Sequence, residues 1–396
     1  MMTKPDDIVI VAAMRTPTGG LLGNLASLSA PELAAISHRA VIDNVQIDPH
    51  DIDEIITGCV LQAGIGQAPA RQAALKAGIP DSVGATTINK MCGSGLKSVM
   101  LAHDLIKAGS ARIILAGGME SMSQAPYLLG GARAGYRHGH GEIKDHMFLD
   151  GLEDAYDRGT LMGIFAERTA TAFNISRVAQ DEFAERSMRR ALEAQKAGYF
   201  NAEIAPVTRT DRKGTLTILH DEGPNEAKLN KIRQLKPAFQ ADGTITAANS
   251  SSIADGAASL LIMTAKEAAA RGFTPLAKMV AHATFAQAPA WFTTAPSQAI
   301  HRVLQKAGWT SSDVDLYEIN EAFAVVAMVT MSELNLDEET VNIHGGACAL
   351  GHPIGASGAR ILVTLIHALR QHHQHKGIAS LCIGGGEAVA VAIEVI

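Results

Sequence analysis

Cysteine and histidine residues in glycine-rich settings carry the chemical content of this 396-residue chain. Cys92 stands in the stretch NKMCGSGLKSV, Asn89 to Val99, where the β-like run Ala85-Thr86-Thr87-Ile88 gives way to a helical pattern. A free thiol has a pKa of about 8.5, so near neutral pH only roughly a few per cent is thiolate. A helix N-terminus supplies partial positive charge and free N–H groups, which favour the anion. Gly93 and Gly95 remove side chains where the backbone is expected to turn tightly and a substrate to approach. The segment suits an activated nucleophile, and it also suits a tight strand-to-helix turn around a buried cysteine.

The C-terminal part adds groups that act with a thiol. His352 lies in VNIHGGACALGHPIGASGAR, in a glycine-rich turn before a helix, with Pro353 holding the turn. Such a histidine can take the proton of Cys92, the Cys–His arrangement of nucleophilic catalysis. Cys382 ends an apolar run in SLCIGGGEAVA, and the backbone N–H groups of the glycines that follow can face an oxyanion. Asn320, in EINEAFA, offers an amide able to orient a water or a carbonyl.

The elements that must position these groups read as α/β. Ile8–Ala13, Glu54–Thr57, Ile113–Ala116 and Leu316–Ile319 are short apolar runs of buried strands; Leu96–Ile106 and Ile361–Leu369 have helical spacing. Their alternation implies mostly parallel sheets. DIDEIITGCV from Asp51 matches DVDLYEINEA from Asp313, and GSGLKSV followed by RIILAGGMES is echoed by GASGARI followed by IASLCIGGGEAV. Shared order at nearly shared spacing argues for duplication of one unit. From about Ser121 to Ser250 the composition becomes loop-rich, with GGARAGYRHGHGEIKDH, a charged pair of helices around Ala179–Ala197 and the polar run HDEGPNEAKLNKIRQLK. Such an insertion on a rigid scaffold shapes binding sites.

Composition narrows the function classes. With 47% hydrophobic and 19% charged residues and a net charge of −6, the chain matches an ordinary globular protein and gives no basic patch for nucleic acid or an anionic membrane. The N-terminus has no signal-type apolar stretch, and no segment nears the about 18 apolar residues of a membrane span, so a cytoplasmic enzyme is expected. The remaining cysteines, Cys59 and Cys348, are scattered and form no CxxC pair, which excludes a disulfide framework and a zinc ribbon; both are expected to be buried and inert, Cys348 with some prospect of lining a pocket. The run QHHQH, Gln371 to His375, reads as a solvated helix end without metal-ligand spacing.

NKMCGSGLK, AGGMESMS, NEAFA, GHPIGASGAR and CIGGG resemble, in order and along essentially the whole chain, the motifs of the thiolase family, of the acetyl-CoA acetyltransferase type. The resemblance implies a five-layer αβαβα fold of two similar halves. Residues 1–120 and 251–273 would form the N-terminal half, 274–396 the C-terminal half, and 121–250 an inserted loop domain for CoA and oligomer contacts. It implies that Cys92 is acylated, His352 activates it, and Cys382 removes the α-proton of the second acyl-CoA. The N–H groups of Cys92 and Gly384 would make one oxyanion hole, and His352 with a water on Asn320 the other. Ser251 matches the serine beside the pantetheine of CoA, though its type also suits a helix or turn cap. Met162, Phe239 and Phe323 match pocket positions, a role extended to Leu152 and Ala247. The implied reaction is 2 acetyl-CoA ⇌ acetoacetyl-CoA + CoA, ping-pong, with CoA esters as substrates and no metal or other cofactor, in a homotetramer of two tight dimers. Arg133, Arg137, His138 and His140 lie in the loop region that joins dimers in such assemblies. The alternatives are a 3-ketoacyl-CoA thiolase of β-oxidation, a ketosynthase-like condensing enzyme, which usually has a second histidine where Cys382 stands, and a non-enzymatic acyl-CoA-binding scaffold.

The chain departs from the pattern at several points. His344-Gly345-Gly346 replaces Asn-Gly-Gly, with His344 expected to pack; Leu161-Met162-Gly163 replaces His-Met-Gly. Asn225 replaces an arginine that meets the CoA phosphate, leaving Lys228 or Lys231 as substitutes. Trp291-Phe292 replaces Met-Gly and is expected to shorten the acyl pocket; Glu387-Ala388 replaces the Met-Gly after the triple glycine.

Overall fold

The computed structural model describes residues 3–211 and 214–396. Nine strands form one continuous path: β1 (Ile8–Arg15), β2 (Glu54–Gly58), β3 (Gly84–Ile88), β4 (Ile113–Ser121), β5 (Ala254–Thr264), β6 (Ala277–Ala286), β7 (Leu316–Ile319), β8 (Lys376–Ile383) and β9 (Glu387–Val395). Their spatial order is β7-β8-β9-β6-β1-β5-β4-β2-β3. The path divides into two related units. In the first, β2 runs parallel to β4, β4 antiparallel to β5, and β5 antiparallel to β1. In the second, β7 runs parallel to β8, β8 antiparallel to β9, and β9 antiparallel to β6. Between the units, β1 and β6 pair antiparallel at Val9–Lys278 and Ile10–Ala277. Five of the eight neighbouring pairs are thus antiparallel, against the mostly parallel sheets expected, because each unit adds antiparallel strands to a parallel edge, as where the three-glycine turn folds β9 straight back on β8. The first unit has a fifth strand, β3, parallel to β2; in the second, its counterpart is reduced to a bridge between Tyr317 and Val341.

Period-two alternation along the strands explains the layers. In β9, Val389, Val391 and Ile393 face a central core, while Ala388, Ala390 and Ala392 face an outer one. In β1, Ile8 and Ile10 face the centre and Val9 and Val11 the opposite side. The central core is filled from α3 (Ser94–Lys107) and from α8 (Ile354–Gln371). The outer cores are covered by α1 (Ala30–Val45) and α2 (Pro69–Lys76) on the first unit, and by α6 (Ala295–Ala307) and α7 (Ala324–Leu334) on the second. This gives the five-layer αβαβα arrangement. Strands covered on both faces read as unbroken apolar runs, which is why they were legible as short hydrophobic blocks.

The central helices approach closely because their facing surfaces are small. A Cβ on Gly95 of α3 would lie 2.8 Å from the backbone nitrogen of Ala359 in α8. Any larger residue would push the two helices apart, and with them the turns that precede each.

The segment between β4 and β5 carries a hairpin of Tyr127–Leu129 with Ile143–Asp145, α4 (Met162–Ala172), α5 (Arg177–Ala197) and a hairpin of Val207–Asp211 with Gly214–Ile218. The expected pair of charged helices is one helix, α5. Ser176 caps it by accepting from the Ala179 N–H at 3.2 Å, and Gly198, at φ 77°, ends it. No breaker lies between these residues. A buried arginine fastens the segment to β1: Arg15 donates from Nε to Glu203 at 2.5 Å and from Nη1 and Nη2 to Asp221 at 2.7 and 2.9 Å. Arg133, Arg137, His138 and His140 are all exposed in the loop of the first hairpin.

Candidate active site

The turn between β3 and α3 places Cys92. Its left-handed residue is Met91, at φ 47°, whose N–H donates to Asn89 Oδ1 at 2.9 Å. Gly93 and Gly95 therefore do not serve backbone turning as expected. They serve close packing: a Cβ on Gly93 would collide with Ile383, and Gly95 meets α8. The N–H groups of Cys92 itself and of Gly384 act on the Cys92 sulfur and favour its anion.

The expected thiolate is not the resting state. Burial pushes the Cys92 thiol up to about 11, against the lowering from those two N–H groups, and the nearby Glu120 carboxylate adds to the rise. Burial holds His352 down to about 3, with Arg360 adding to the effect, so the imidazole is neutral. A neutral thiol and a neutral imidazole on one cavity form a pair in which the proton moves when substrate arrives, rather than a preformed ion pair.

His352 is held in one tautomer. Ser357, one turn into α8, donates its hydroxyl to Pro353 O at 2.9 Å, so its oxygen accepts from Nδ1–H of His352 at 2.5 Å. Nε2 is left with its lone pair, buried and without a protein partner among the described residues. Ser357 was missed as a site residue, although it sits inside GHPIGASGAR. The signal was a hydroxyl at the first turn of the helix that follows the histidine. Glu120 was quoted in AGGMES without a role. It is fully buried, raised to about 7 chiefly by burial, and accepts from the N–H groups of Val60 and Leu61, both at 3.0 Å, and of Gly355 at 2.9 Å. It thereby anchors the start of α8, just beyond His352, to the first unit.

Cys382 is the penultimate residue of β8 and is fully buried; desolvation and the neighbouring Cys92 raise its thiol well above the ordinary value. Asn320 follows β7 directly. Its N–H donates to Ser380 O at 3.0 Å, and both amide atoms of its side chain are buried without partners among the described residues.

These elements end on one cavity of ≈ 570 Å³. Cys92, His352, Cys382 and Gly384 all line it; Asn320 does not, although Ala322 and Phe323 just after it do. The remaining residues anticipated for substrate, Ser251, Met162, Phe239, Phe323, Leu152 and Ala247, line it too. Phe239 and Phe292 each pack edge-on to Phe323, with centroids 6.1 and 6.5 Å apart. Of the Trp291-Phe292 pair, Phe292 lines the cavity, whereas Trp291 is 40% exposed and does not. A second cavity of ≈ 300 Å³ shares Gly223, Lys228, Ala247 and Ser252 with the first and is also lined by Lys231 and Cys348. Asn225 caps the short helix Glu226–Leu229, its Oδ1 accepting from Ala227 N–H at 2.8 Å. That occupation explains an asparagine there and leaves the two lysines as the cations at the cavities.

With this geometry in place, the comparisons with known proteins fall into line. The thiolase N-terminal domain model matches residues 8–266 and the thiolase C-terminal domain model residues 273–395. The chain belongs to the thiolase family. Acetyl-CoA acetyltransferases of Cupriavidus necator and Escherichia coli K12 are 49% and 50% identical to it; each match covers 98% of this chain, and 99% and 98% of those proteins. The crystal structure of Bacillus anthracis acetyl-CoA acetyltransferase superposes with a TM-score of 0.96 at 40% identity, covering all of both chains. Human mitochondrial 3-ketoacyl-CoA thiolase gives a TM-score of 0.95 at 38% identity over 99% of each chain. The five-layer fold expected from the motifs is thus the thiolase fold.

Outside this thiolase site, His103, Asp104 and His282 bring ligand-type atoms together. Both imidazoles already face the same Asp104 oxygen, at 3.0 and 2.8 Å, so hydrogen bonding accounts for the group. His372 and His373 of the QHHQH run are exposed, and His372 Nε2 lies 3.1 Å from Nε2 of the buried His344, which stacks on Tyr199. Among the described residues no helix is long and apolar enough to cross a membrane.

Proposed function

We propose that the protein is an acyltransferase, an acetyl-CoA C-acetyltransferase that condenses two acetyl-CoA to acetoacetyl-CoA and CoA through an S-acetyl Cys92. The observation that carries the reading is the convergence of Cys92, Cys382, Gly384 and the unpaired Nε2 of His352 on one cavity. The names of its relatives point the same way.

In the first half-reaction the Cys92 proton passes to His352 Nε2 and the sulfur attacks the thioester carbonyl. CoA leaves as a thiolate and recovers the proton from His352. As a thioester Cys92 can no longer ionise beside Cys382, so the coupling that raises the Cys382 thiol is removed. Cys382 gives its proton to the neutral His352 and then takes the α-proton of the second acetyl-CoA. The enolate oxygen is held by His352 Nε2–H and by a water on Asn320. The carbon attacks the acetyl group on Cys92, whose oxyanion faces the N–H groups of Cys92 and Gly384, and Cys92 leaves and recovers its proton from His352. One preorganised donor of this kind is typically worth about 3 kcal/mol. Nucleophile and bases are all side chains, so the scheme needs only CoA esters.

The reading includes Ser251, Leu152 and Ala247 along the CoA arm, and Lys228 or Lys231 at its phosphates. It also includes a division into 1–120 with 251–273, a loop domain 121–250, and 274–396. With it go a cytoplasmic location and a homotetramer joined through the loop around Arg133–His140, which sedimentation of the protein against a deletion of that loop tests. The central test is intact-mass measurement after mixing with acetyl-CoA: one acetyl adduct, mapped to Cys92, is expected. An adduct elsewhere, or none under trapping conditions, overturns the assignment. Phe292 at the cavity wall sets a short acyl chain. Acetoacetyl-CoA should be cleaved with higher kcat/KM than C10 or longer 3-ketoacyl-CoAs; equal activity on the long substrates would favour β-oxidation.

A further inference from the structure

The oxyanion hole requires two N–H groups aimed at one oxygen, and those of Cys92 and Gly384 come from different units of the molecule. Cys92 lies between β3 and α3, Gly384 between β8 and β9. These turns stand at the ends of strands that do not pair with each other. Sheet hydrogen bonds therefore do not set their separation. The glycine turn is held at its far end, where Gly386 O accepts from the Gln287 N–H at 2.8 Å, but Gly385 and Gly386, at φ 96° and 91°, offer no side chains to pack near Gly384.

Two side-chain contacts across the turns bear on their spacing. One is apolar: Ile383 occupies the space where a Cβ on Gly93 would sit. The other is an ion pair between Lys90 Nζ and Glu387 Oε2, with side chains 23% and 34% exposed. Lys90 is fixed in the nucleophile turn, its N–H donating to Ser94 Oγ at 2.8 Å and its carbonyl accepting from Gly93 N–H at 3.0 Å. Glu387 closes the glycine turn, paired with Ile383 across the hairpin and with Ala286 of β6. It stands where the chain departs from the family's Met-Gly.

We propose that the Lys90–Glu387 pair is a clamp that positions Gly384 N–H against Cys92 N–H and so builds the oxyanion hole across the two units. A partly exposed pair of this kind contributes little to global stability. Misplacing a catalytic donor by about 1 Å, in contrast, costs on the order of 10²-fold in rate. The effect thus falls on chemistry rather than on folding. Both residues are positioning residues, and neither lines the cavity.

The test measures single-turnover acetylation of Cys92, with kcat and KM, in Glu387→Gln, Lys90→Met and the exchanged double variant Lys90→Glu/Glu387→Lys. Each single variant should acetylate about 10- to 100-fold more slowly, with KM for acetyl-CoA and Tm close to those of the wild type. The exchange should recover most of the lost rate. Glu387→Gln at the wild-type rate, or an exchange no faster than the single variants, overturns the clamp. Should a variant not fold, a salt series on the wild type at saturating acetyl-CoA decides: acetylation slows as the pair is screened, and a flat response overturns it. The inference rests on Cys92 as the acyl carrier. A wild type that takes no acetyl group sinks that reading, whereas an acetylating wild type beside unaffected variants sinks the clamp alone.

Discussion

The two units share a strand order, yet they differ at the same point. In the first, the link from β4 to β5 runs from Met122 to Ile253 and carries α4, α5 and two hairpins; in the second, the corresponding link from β8 to β9 is Gly384-Gly385-Gly386. The long link supplies cavity walls such as Met162 and Phe239, and the short one supplies Gly384. A second difference lies at the central helices. The turn before α3 presents a thiol, and the turn before α8 presents an imidazole with Ser357 behind it. The two helix mouths are equivalent in the fold, but they present different groups, a thiol and an imidazole, to the same cavity.

That division of labour can be broken from the first unit. Cys92→Ser should still bind CoA esters but turn over several orders of magnitude more slowly, because a hydroxyl is far harder to ionise. Steady-state thiolysis beside equilibrium CoA binding checks it; activity near the wild type would remove the nucleophile from the first unit.

From the second unit, Cys382→Ala should separate the half-reactions. Acetyl exchange between CoA molecules should survive, since it needs Cys92, His352 and an oxyanion hole only. Condensation and cleavage should each fall by at least about 10²–10⁴-fold, the usual contribution of a general acid–base group. Labelled CoA exchange, measured beside condensation, reads both. Equal loss of the two would merge the roles that the comparison keeps apart.

A smaller effect is expected at Ser357, which sharpens the asymmetry between the helix mouths. Ser357→Ala removes the acceptor for His352 Nδ1–H and frees the ring to take the wrong tautomer. Acetylation of Cys92 should fall about 10- to 100-fold, within the range for a base held in place, and Ser357→Thr should restore most of it. An unaltered rate in the alanine variant would show that burial alone orients the ring.

The smallest effect is on stability. His352 is held down to about 3 and His38 and His344 to about 4, each chiefly by burial. The unfolded chain binds these protons near the ordinary 6.5 and the folded chain does not. Their contribution is present in full above about pH 6.5 and is lost as the pH falls from there towards 4. Unfolding free energies from urea titrations should decline between pH 7 and 5, by up to about 2 kcal/mol per histidine. His344→Asn should flatten that decline, and an unchanged slope would remove His344 from the account.

Strand and helix positions were legible because double-sided burial writes itself as apolar blocks, as in Ile113–Ala116 and Leu316–Ile319. The thiol, imidazole and glycine turn that line the cavity were legible as residue types at motif spacing, and the motif order carried the fold. Other matters depended on approach between residues far apart in the chain. Gly93 and Gly95 looked like turn formers but are packing residues, since only the fold brings Ile383 and α8 against them. Trp291 and Phe292 are neighbours of similar size, and backbone direction alone put one on the cavity and the other outside. The ionisation of Cys92 went against the local expectation because burial and Glu120 outweigh the N–H groups at its sulfur. A local sequence specifies dipoles and side-chain types; it does not specify how much water is removed around them. The sequence by itself determined which groups are present and in what elements. Only the tertiary structure decided their charge states, because desolvation is a property of the whole packed molecule.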